Sequence, residues 1–207
     1  MRQPAHAHLF RGGTAADRAP LVLLHGSDGS ESDLLPLAED VAPGSPLLGL
    51  RGAVAMPGGY GFFRRLPDRR VDEADLSARV PVLADFIENA CAGYGLERPL
   101  AIGFSNGAIM AAALLLSRPG LLAGAILFRP LSPFATDPPG RVDGIPVLIA
   151  DAVDDDRRAP GHGARLAERL RLAGANVTHR VLPGGHPLTL ADRELARDWL
   201  RRSDRPC

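Results

Sequence analysis

The sequence contains no lysine, so all 24 of its basic residues are arginine. Without lysine the chain cannot form a Schiff base, build a serine–lysine dyad or hold phosphate through a P-loop lysine. The arginines are balanced by 24 acidic residues, so no general attraction to nucleic acid or to an anionic membrane is expected. We therefore expect neither a nucleic-acid partner nor lysine-based catalysis.

Cysteine and long apolar runs are also scarce. The two cysteines, Cys91 and Cys207, cannot form a disulfide framework, and we expect free thiols in a reducing compartment. The longest apolar run, from Ala108 to Leu116, is too short to span a bilayer. The opening stretch MRQPAHAHLF lacks the apolar core of a signal peptide. These features predict a soluble cytoplasmic protein without membrane insertion.

Short apolar runs alternate with amphipathic stretches along the chain, which predicts an α/β fold with a mainly parallel central sheet and helices on both faces. The predicted strands are His8–Phe10 as an antiparallel edge, Leu21–His25, Leu48–Ala55, Leu100–Phe104, Gly124–Phe128, Val147–Ala150 and Val177–Leu182. The predicted helices are Glu73–Ala92, Asn106–Leu116, His162–Leu172 and Pro187 to Arg201. With 207 residues and no repeat or linker, the sequence predicts a single domain over residues 1–207.

One connection between predicted strands, Pro130 to Gly144, is rich in proline and turn residues. It is too short to fold into a separate lid domain. We therefore expect an open site bordered by short loops. Small, soluble substrates suit such a site better than bulky ones.

The clearest chemical motif is Gly103-Phe104-Ser105-Asn106-Gly107, which follows a predicted strand and opens a predicted helix. G-x-S-x-G also occurs by chance, but the strand before it and the helix after it are the context of a nucleophile elbow. The glycines leave room for a sharp turn, and the serine lies at a helix N-terminus, where developing negative charge is favoured. Ser105 is therefore the predicted nucleophile.

The segment Leu23 to Gly29 (LLHGSDG) contains the end of the first buried strand and the loop that follows it. A glycine-bearing loop in this place supplies an oxyanion-hole donor, so the backbone N–H groups of Ser27 and Asn106 are the predicted pair. His25 could be taken for a base, but we expect a structural histidine that hydrogen-bonds this loop.

His186 lies between the last predicted strand and the last predicted helix, at the same edge of the sheet as Ser105. It is the predicted general base. The remaining histidines, for which we expect surface positions, are His6, His8, His162 and His179.

A Ser–His pair needs an acid to orient the imidazole, and in this chain order the acid follows a strand between the serine and the histidine. The acidic cluster Asp151-Ala152-Val153-Asp154-Asp155-Asp156 occupies that place and offers several candidates. A hard cation could bind there adventitiously, but no ligand spacing indicates a functional metal.

These segments together resemble the prokaryotic phospholipase/carboxylesterase family of the α/β-hydrolases, which is related to acyl-protein thioesterases. The resemblance rests on LLHGSDGSESDLLPLA, GFSNGAIMAAALLL, LFRPLSP, VLIADAVDDD and AGANVTHRVLPGGHPLT, and covers nearly the whole chain. It implies the α/β-hydrolase fold without a lid domain, and a Ser–His–Asp triad. The family's spacing from the strand start at Val147 and from Leu166 implies Asp155 as the acid, whereas its Asp-x-x-x-Pro pattern, counted back from Pro160, implies Asp156. Two anchors against one place Asp155 first, with Asp156 next and Asp154 behind.

The sequence departs from the family at the acidic cluster and at Asp28, where relatives more often carry a small or uncharged residue. We expect Asp28 to face solvent. The resemblance implies hydrolysis of small carboxylic esters through an acyl-enzyme, with no cofactor and with a small-molecule ester as the partner. A thioesterase or lysophospholipase would use the same residues, a non-catalytic binding protein on this scaffold is a further alternative, and a homodimer stays open.

Overall fold

The computed structural model describes residues 6–15, 18–68, 70–138 and 140–203. Its centre is a seven-stranded sheet. The strands of this sheet are β1 (His8–Arg11), β2 (Leu21–Leu24), β3 (Leu47–Leu50), β6 (Leu100–Phe104), β7 (Gly124–Phe128), β8 (Pro146–Ala152) and β9 (Asn176–Leu182). They lie in the order β1-β3-β2-β6-β7-β8-β9. The edge strand β1 pairs with β3 in antiparallel orientation, and the other strands are parallel.

Helices cover both faces of this sheet. The structure has α1 (Leu35–Val41), α2 (Glu73–Tyr94), α3 (Asn106–Ser117), α4 (His162–Leu172) and α5 (Leu190–Ser203). One apolar core lies between the sheet and α2, α3 and α4, and a second lies between the sheet and α1 and α5. The predicted α/β architecture is therefore confirmed.

The central strands are continuous apolar runs because both of their faces are covered. Along β2, Val22 and Leu24 pack into the first core, whereas Leu21 and Leu23 pack into the second. Helix α3 is apolar around its whole circumference, since it is buried from Asn106 to Leu116.

The predicted strand Leu48–Ala55 is wrong in its second half. The chain leaves the sheet after Leu50 and forms a small hairpin of β4 (Val54–Met56) and β5 (Gly59–Gly61). At Gly52 the backbone passes so close to Gly61 that an added Cβ would lie 2.2 Å from that residue's carbonyl carbon. This close contact between the two backbone segments lies where the chain leaves the sheet.

Two helix predictions also need correction. Helix α1 was not predicted, because it has 7 residues and carries proline in its first turn. Helix α5 begins at Leu190 rather than at Pro187. Thr189 forms its N-terminus, since the Asp192 carboxylate accepts hydrogen bonds from the Thr189 backbone N–H and hydroxyl at 2.8 and 2.9 Å. Within the described residues, no helix is long and apolar enough to cross a membrane.

Candidate active site

Ser105 lies in the tight turn between β6 and α3. Its backbone has φ 51° and ψ −105°, a region that residues other than glycine rarely adopt. The Ser105 N–H donates to the Phe128 carbonyl at 2.9 Å, which ties the turn to β7. A Cβ on Gly107 would lie 2.0 Å from the Leu24 carbonyl oxygen, and one on Gly103 would meet the α3 backbone at 2.7 Å. Both glycines of the motif are thus required by close backbone packing.

His186 connects the serine to an acid. Its Nε2 lies 3.0 Å from Ser105 Oγ, and its Nδ1 lies 3.0 and 2.9 Å from the two carboxylate oxygens of Asp155. The side chains of His186 and Asp155 are 6% and 2% exposed. Burial lowers the pKa of His186 below its ordinary value of 6.5, and the hydrogen bond to Asp155 opposes this shift. The neutral imidazole can therefore donate through Nδ1 to Asp155 and accept the Ser105 proton at Nε2.

Of the three candidate acids, Asp155 is the one that contacts His186. Asp154 and Asp156 are exposed. The Arg157 backbone N–H also donates to Asp155 at 2.8 Å, which holds the carboxylate in place. The structure thus brings together the three side chains named from the sequence as nucleophile, base and first-choice acid.

The two predicted oxyanion donors lie at the same edge of the sheet. Asn106 is the first residue of α3, and Ser27 is an exposed residue of the loop after β2. In the described part of the chain, neither backbone N–H donates a hydrogen bond to the protein. Asp28 is exposed as expected, and its carboxylate accepts from the Gly58 N–H at 3.0 Å.

Two buried side chains hold the loops beside Ser105. The Asn106 carboxamide accepts from the Phe62 N–H at 2.7 Å and donates to the Phe63 carbonyl at 3.2 Å. His25 lies 2.6 Å from the Gly26 carbonyl through Nδ1 and accepts from the Gly52 N–H at 3.0 Å through Nε2. Burial lowers the pKa of His25, so the ring stays neutral and can make both bonds. His25 is therefore a structural residue, as the sequence indicated.

Arg129, a fully buried arginine at the end of β7, was not among the residues predicted from the sequence. Its guanidinium forms two 2.8 Å hydrogen bonds with the Asp192 carboxylate and donates to the carbonyls of Ala150 and Gly185 at 3.1 and 3.3 Å. Gly185 precedes His186, so this arginine ties the loop that carries His186 to β8 and α5. The sequence feature that could have identified Arg129 is its position directly after a buried strand.

A second arginine that was not predicted from the sequence contacts Ser105 itself. Arg158 Nη2 donates to Ser105 Oγ at 2.9 Å, and its Nε donates to the Arg129 carbonyl at 2.8 Å. Arg158 follows the acidic cluster on the loop after β8. In this segment the sequence motifs indicated only the carboxylates as functional residues.

The prediction that four histidines lie at the surface is correct for His8, which is exposed. It is wrong for His179, which is partly buried with its Nε2 2.8 Å from the Asp151 carboxylate. His6 and His162 are also partly buried. In the described ranges, no group of three or more His, Cys, Asp or Glu side chains could hold a metal ion.

Comparison with known proteins places this geometry in a family. A family model described as Phospholipase/Carboxylesterase matches residues 41–195. MhqD of Bacillus subtilis (strain 168), which is named as a hydrolase, is 37% identical over 95% of this chain and 98% of its own length. A carboxylesterase structure from Bacillus cereus is 37% identical with a TM-score of 0.92, covering 97% of this chain and 95% of that one. A carboxylesterase structure from Mesorhizobium loti is 31% identical with a TM-score of 0.90, covering 95% of both chains.

Proposed function

Because the chain belongs to the phospholipase/carboxylesterase family of α/β-hydrolases and is a hydrolase, we propose that it cleaves small carboxylic esters through an acyl-enzyme on Ser105. The observation that carries this proposal is the position of His186, which contacts Ser105 Oγ on one side and Asp155 on the other. The carboxylesterase relatives support an ester as the substrate.

In the proposed reaction, His186 Nε2 takes the Ser105 proton as Oγ attacks the ester carbonyl carbon. The carbonyl π-electrons move to oxygen, and the backbone N–H groups of Ser27 and Asn106 stabilise that oxyanion. One such donor is typically worth about 3 kcal/mol of transition-state energy. The alcohol leaves with the proton from His186, and water then releases the acid through the same steps in reverse. Asp155 orients the imidazole and stabilises its charged form, and no cofactor takes part.

Labelling with a fluorophosphonate tests the nucleophile and the base. Wild-type protein should label, Ser105→Ala should not, and Ser105→Ala and His186→Ala should both lose p-nitrophenyl acetate hydrolysis. Labelling would also separate an esterase from a binding protein on the same scaffold. Full esterase activity in Ser105→Ala would refute the mechanism.

The acid is tested with three matched substitutions. Asp155→Asn should lower kcat by roughly 10⁴-fold, because the amide favours the wrong imidazole tautomer. Asp154→Asn and Asp156→Asn are controls with small effects, since both carboxylates are exposed and away from His186. Equal and mild losses in all three would mean that the acid lies elsewhere.

A thioesterase or a lysophospholipase would use the same three side chains. A panel of matched esters, thioesters and lysophospholipids separates these activities by their kcat/KM values. We expect short esters to give the largest values, because Pro130 to Gly144 forms no helix or strand in its described residues.

The cytoplasmic location and the homodimer stay predictions. Cys91 is a buried free cysteine, and burial raises the pKa of its thiol. Such an unreactive thiol suits a reducing compartment but does not require one. Cys207 lies outside the described residues. Cell fractionation and light scattering would test the two predictions.

A further inference from the structure

Arg158 holds a cation against the nucleophile without a carboxylate partner. Its three hydrogen-bond acceptors are all uncharged: Ser105 Oγ at 2.9 Å, the Arg129 carbonyl at 2.8 Å and the Arg157 carbonyl at 3.0 Å. Among the described residues, no Asp or Glu oxygen lies within 4.0 Å of its guanidinium nitrogens. A fork-shaped donor beside the reacting atom therefore has capacity left for an anion.

Burial makes this guanidinium more receptive to an anion. Desolvation, together with the nearby charge of Arg65, lowers the pKa of Arg158 to about 10. The group is still cationic at neutral pH, yet it has lost part of its hydration. A charge-assisted hydrogen bond to a carboxylate replaces the hydration that the guanidinium lost on burial. Such hydrogen bonds are about twice as strong as those between neutral groups.

The neighbouring carboxylates are already engaged. Asp155 is bonded to His186 and to the Arg157 N–H, and Asp151 is bonded to His179. Asp155 and Asp151 favour the charged form of Arg158 through electrostatic attraction. Neither carboxylate forms a hydrogen bond with the guanidinium, whose bonds go to Ser105 and to two backbone carbonyls. A negative group that neutralises Arg158 must come from outside the described part of the protein.

We propose that Arg158 binds a carboxylate of the substrate, so that the preferred substrates are short esters carrying a second, ionised carboxyl group. The proposal deepens the esterase function and rests on it. In the chemical step Arg158 makes and breaks no covalent bond. It is a specificity-determining residue that holds the charged end of the ester while Ser105 attacks the carbonyl.

The distance from Arg158 to Ser105 limits how far apart the two groups of the substrate can be. With Nη2 2.9 Å from Oγ, and with ordinary attack and hydrogen-bond distances, the carboxylate and the scissile carbonyl carbon lie at most roughly 9 Å apart. Half-esters of short dicarboxylic acids meet this limit. So do short acyl esters of small hydroxy acids, in which the carboxylate lies on the alcohol side.

The test compares esters of matched shape. Monoethyl succinate differs from ethyl butyrate by a carboxylate in place of the terminal methyl group, and carboxymethyl butyrate carries the charge on the alcohol side. Wild type should prefer at least one anionic ester over ethyl butyrate. Arg158→Met should lower the ratio of kcat/KM for that ester to kcat/KM for ethyl butyrate roughly 10- to 100-fold.

Arg157→Met is the control for charge alone. It removes a cation from the adjacent, exposed position and should leave the preference within about twofold, because surface charges are screened. Arg158→Lys should recover part of the preference, since it keeps the charge but loses the fork. Fluorophosphonate labelling of each variant reports that the serine site is folded, and Arg158→Gln replaces Arg158→Met if the latter does not label.

Two outcomes would overturn the inference while the esterase function stands. One is a wild type that labels and hydrolyses ethyl butyrate at least as well as both anionic esters. The other is an equal loss on charged and neutral esters in Arg158→Met, which would make Arg158 a residue that only positions Ser105. If wild type neither labels nor hydrolyses any ester, the proposed function itself fails.

Discussion

In the proposed mechanism His186 is the base, and the pH range in which it can work depends on its burial. Burial lowers its pKa below 6.5, Asp155 raises it, and Arg158 and Arg157 lower it further. Catalysis needs the neutral imidazole, so kcat/KM for a neutral ester should rise with pH and level off once His186 has lost its proton. We predict an acid limb with its midpoint below 6.5, measured as kcat/KM for ethyl butyrate across the acidic and neutral range.

Two variants check that this limb belongs to His186. Asp155→Asn removes the main influence that raises the pKa, so the midpoint of its residual activity should move to lower pH. Arg158→Met removes a neighbouring cation, so its midpoint should move to higher pH. A wild-type midpoint above 7 would contradict the expected direction of the shift.

At the level of single residues, the side chains proposed to react were easier to predict from the sequence than the side chains that hold them in place. Ser105 and His186 are found from local context, since each follows a strand in a recognisable motif. Asp155 could not be separated from its acidic neighbours without the family's spacing to the neighbouring strand and helix. Arg129 and Arg158 were missed because their roles depend on contacts between distant segments, such as the bond from Arg158 to Ser105.

The elbow between β6 and α3 depends on backbone packing that a methyl group would break. In Gly107→Ala the new Cβ would lie 2.0 Å from the Leu24 carbonyl oxygen, which is backbone and cannot move freely. We predict a loss of about 3 kcal/mol or more in the free energy of unfolding, because overpacking against backbone forces β2 and α3 apart. Urea denaturation measures this loss, and labelling of Ser105 should weaken with it.

Gly93→Ala is the matched control for that substitution. Gly93 lies exposed in α2, and a Cβ there meets no atom within 4 Å. Alanine should therefore stabilise the helix by about 0.5–1 kcal/mol, which raises Tm by roughly 1–4 °C. A destabilised Gly93→Ala together with an unchanged Gly107→Ala would contradict the packing argument.

Element boundaries show which local signals were sufficient. The strands Leu100–Phe104 and Gly124–Phe128 and the helix His162–Leu172 were predicted with their observed bounds, because apolar runs or helical spacing end at clear turn residues. The hairpin β4–β5 was missed, since the chain turns there through the contact of Gly52 with Gly61. The start of α5 could have been predicted from the sequence, because Thr189 and Asp192 have the spacing of a capping pair.

The whole molecule is held together by a sheet that serves two cores. Successive residues of each central strand alternate between the core with α2, α3 and α4 and the core with α1 and α5. Neither helical layer can leave without exposing an apolar face of the sheet to water, which is unfavourable in proportion to the area exposed. The predicted single domain therefore implies that both layers unfold together.

Trp199 makes this coupling measurable. It is the one tryptophan of the sequence, it lies in α5, and it is 8% exposed in the core shared with α1. Its fluorescence reports one layer, whereas far-UV circular dichroism is dominated by the longer helices of both layers. We predict a single urea transition with coincident midpoints for the two signals. A fluorescence midpoint lower by more than about 0.5 M urea would mean that α1 and α5 detach first, and the chain would then unfold in two steps.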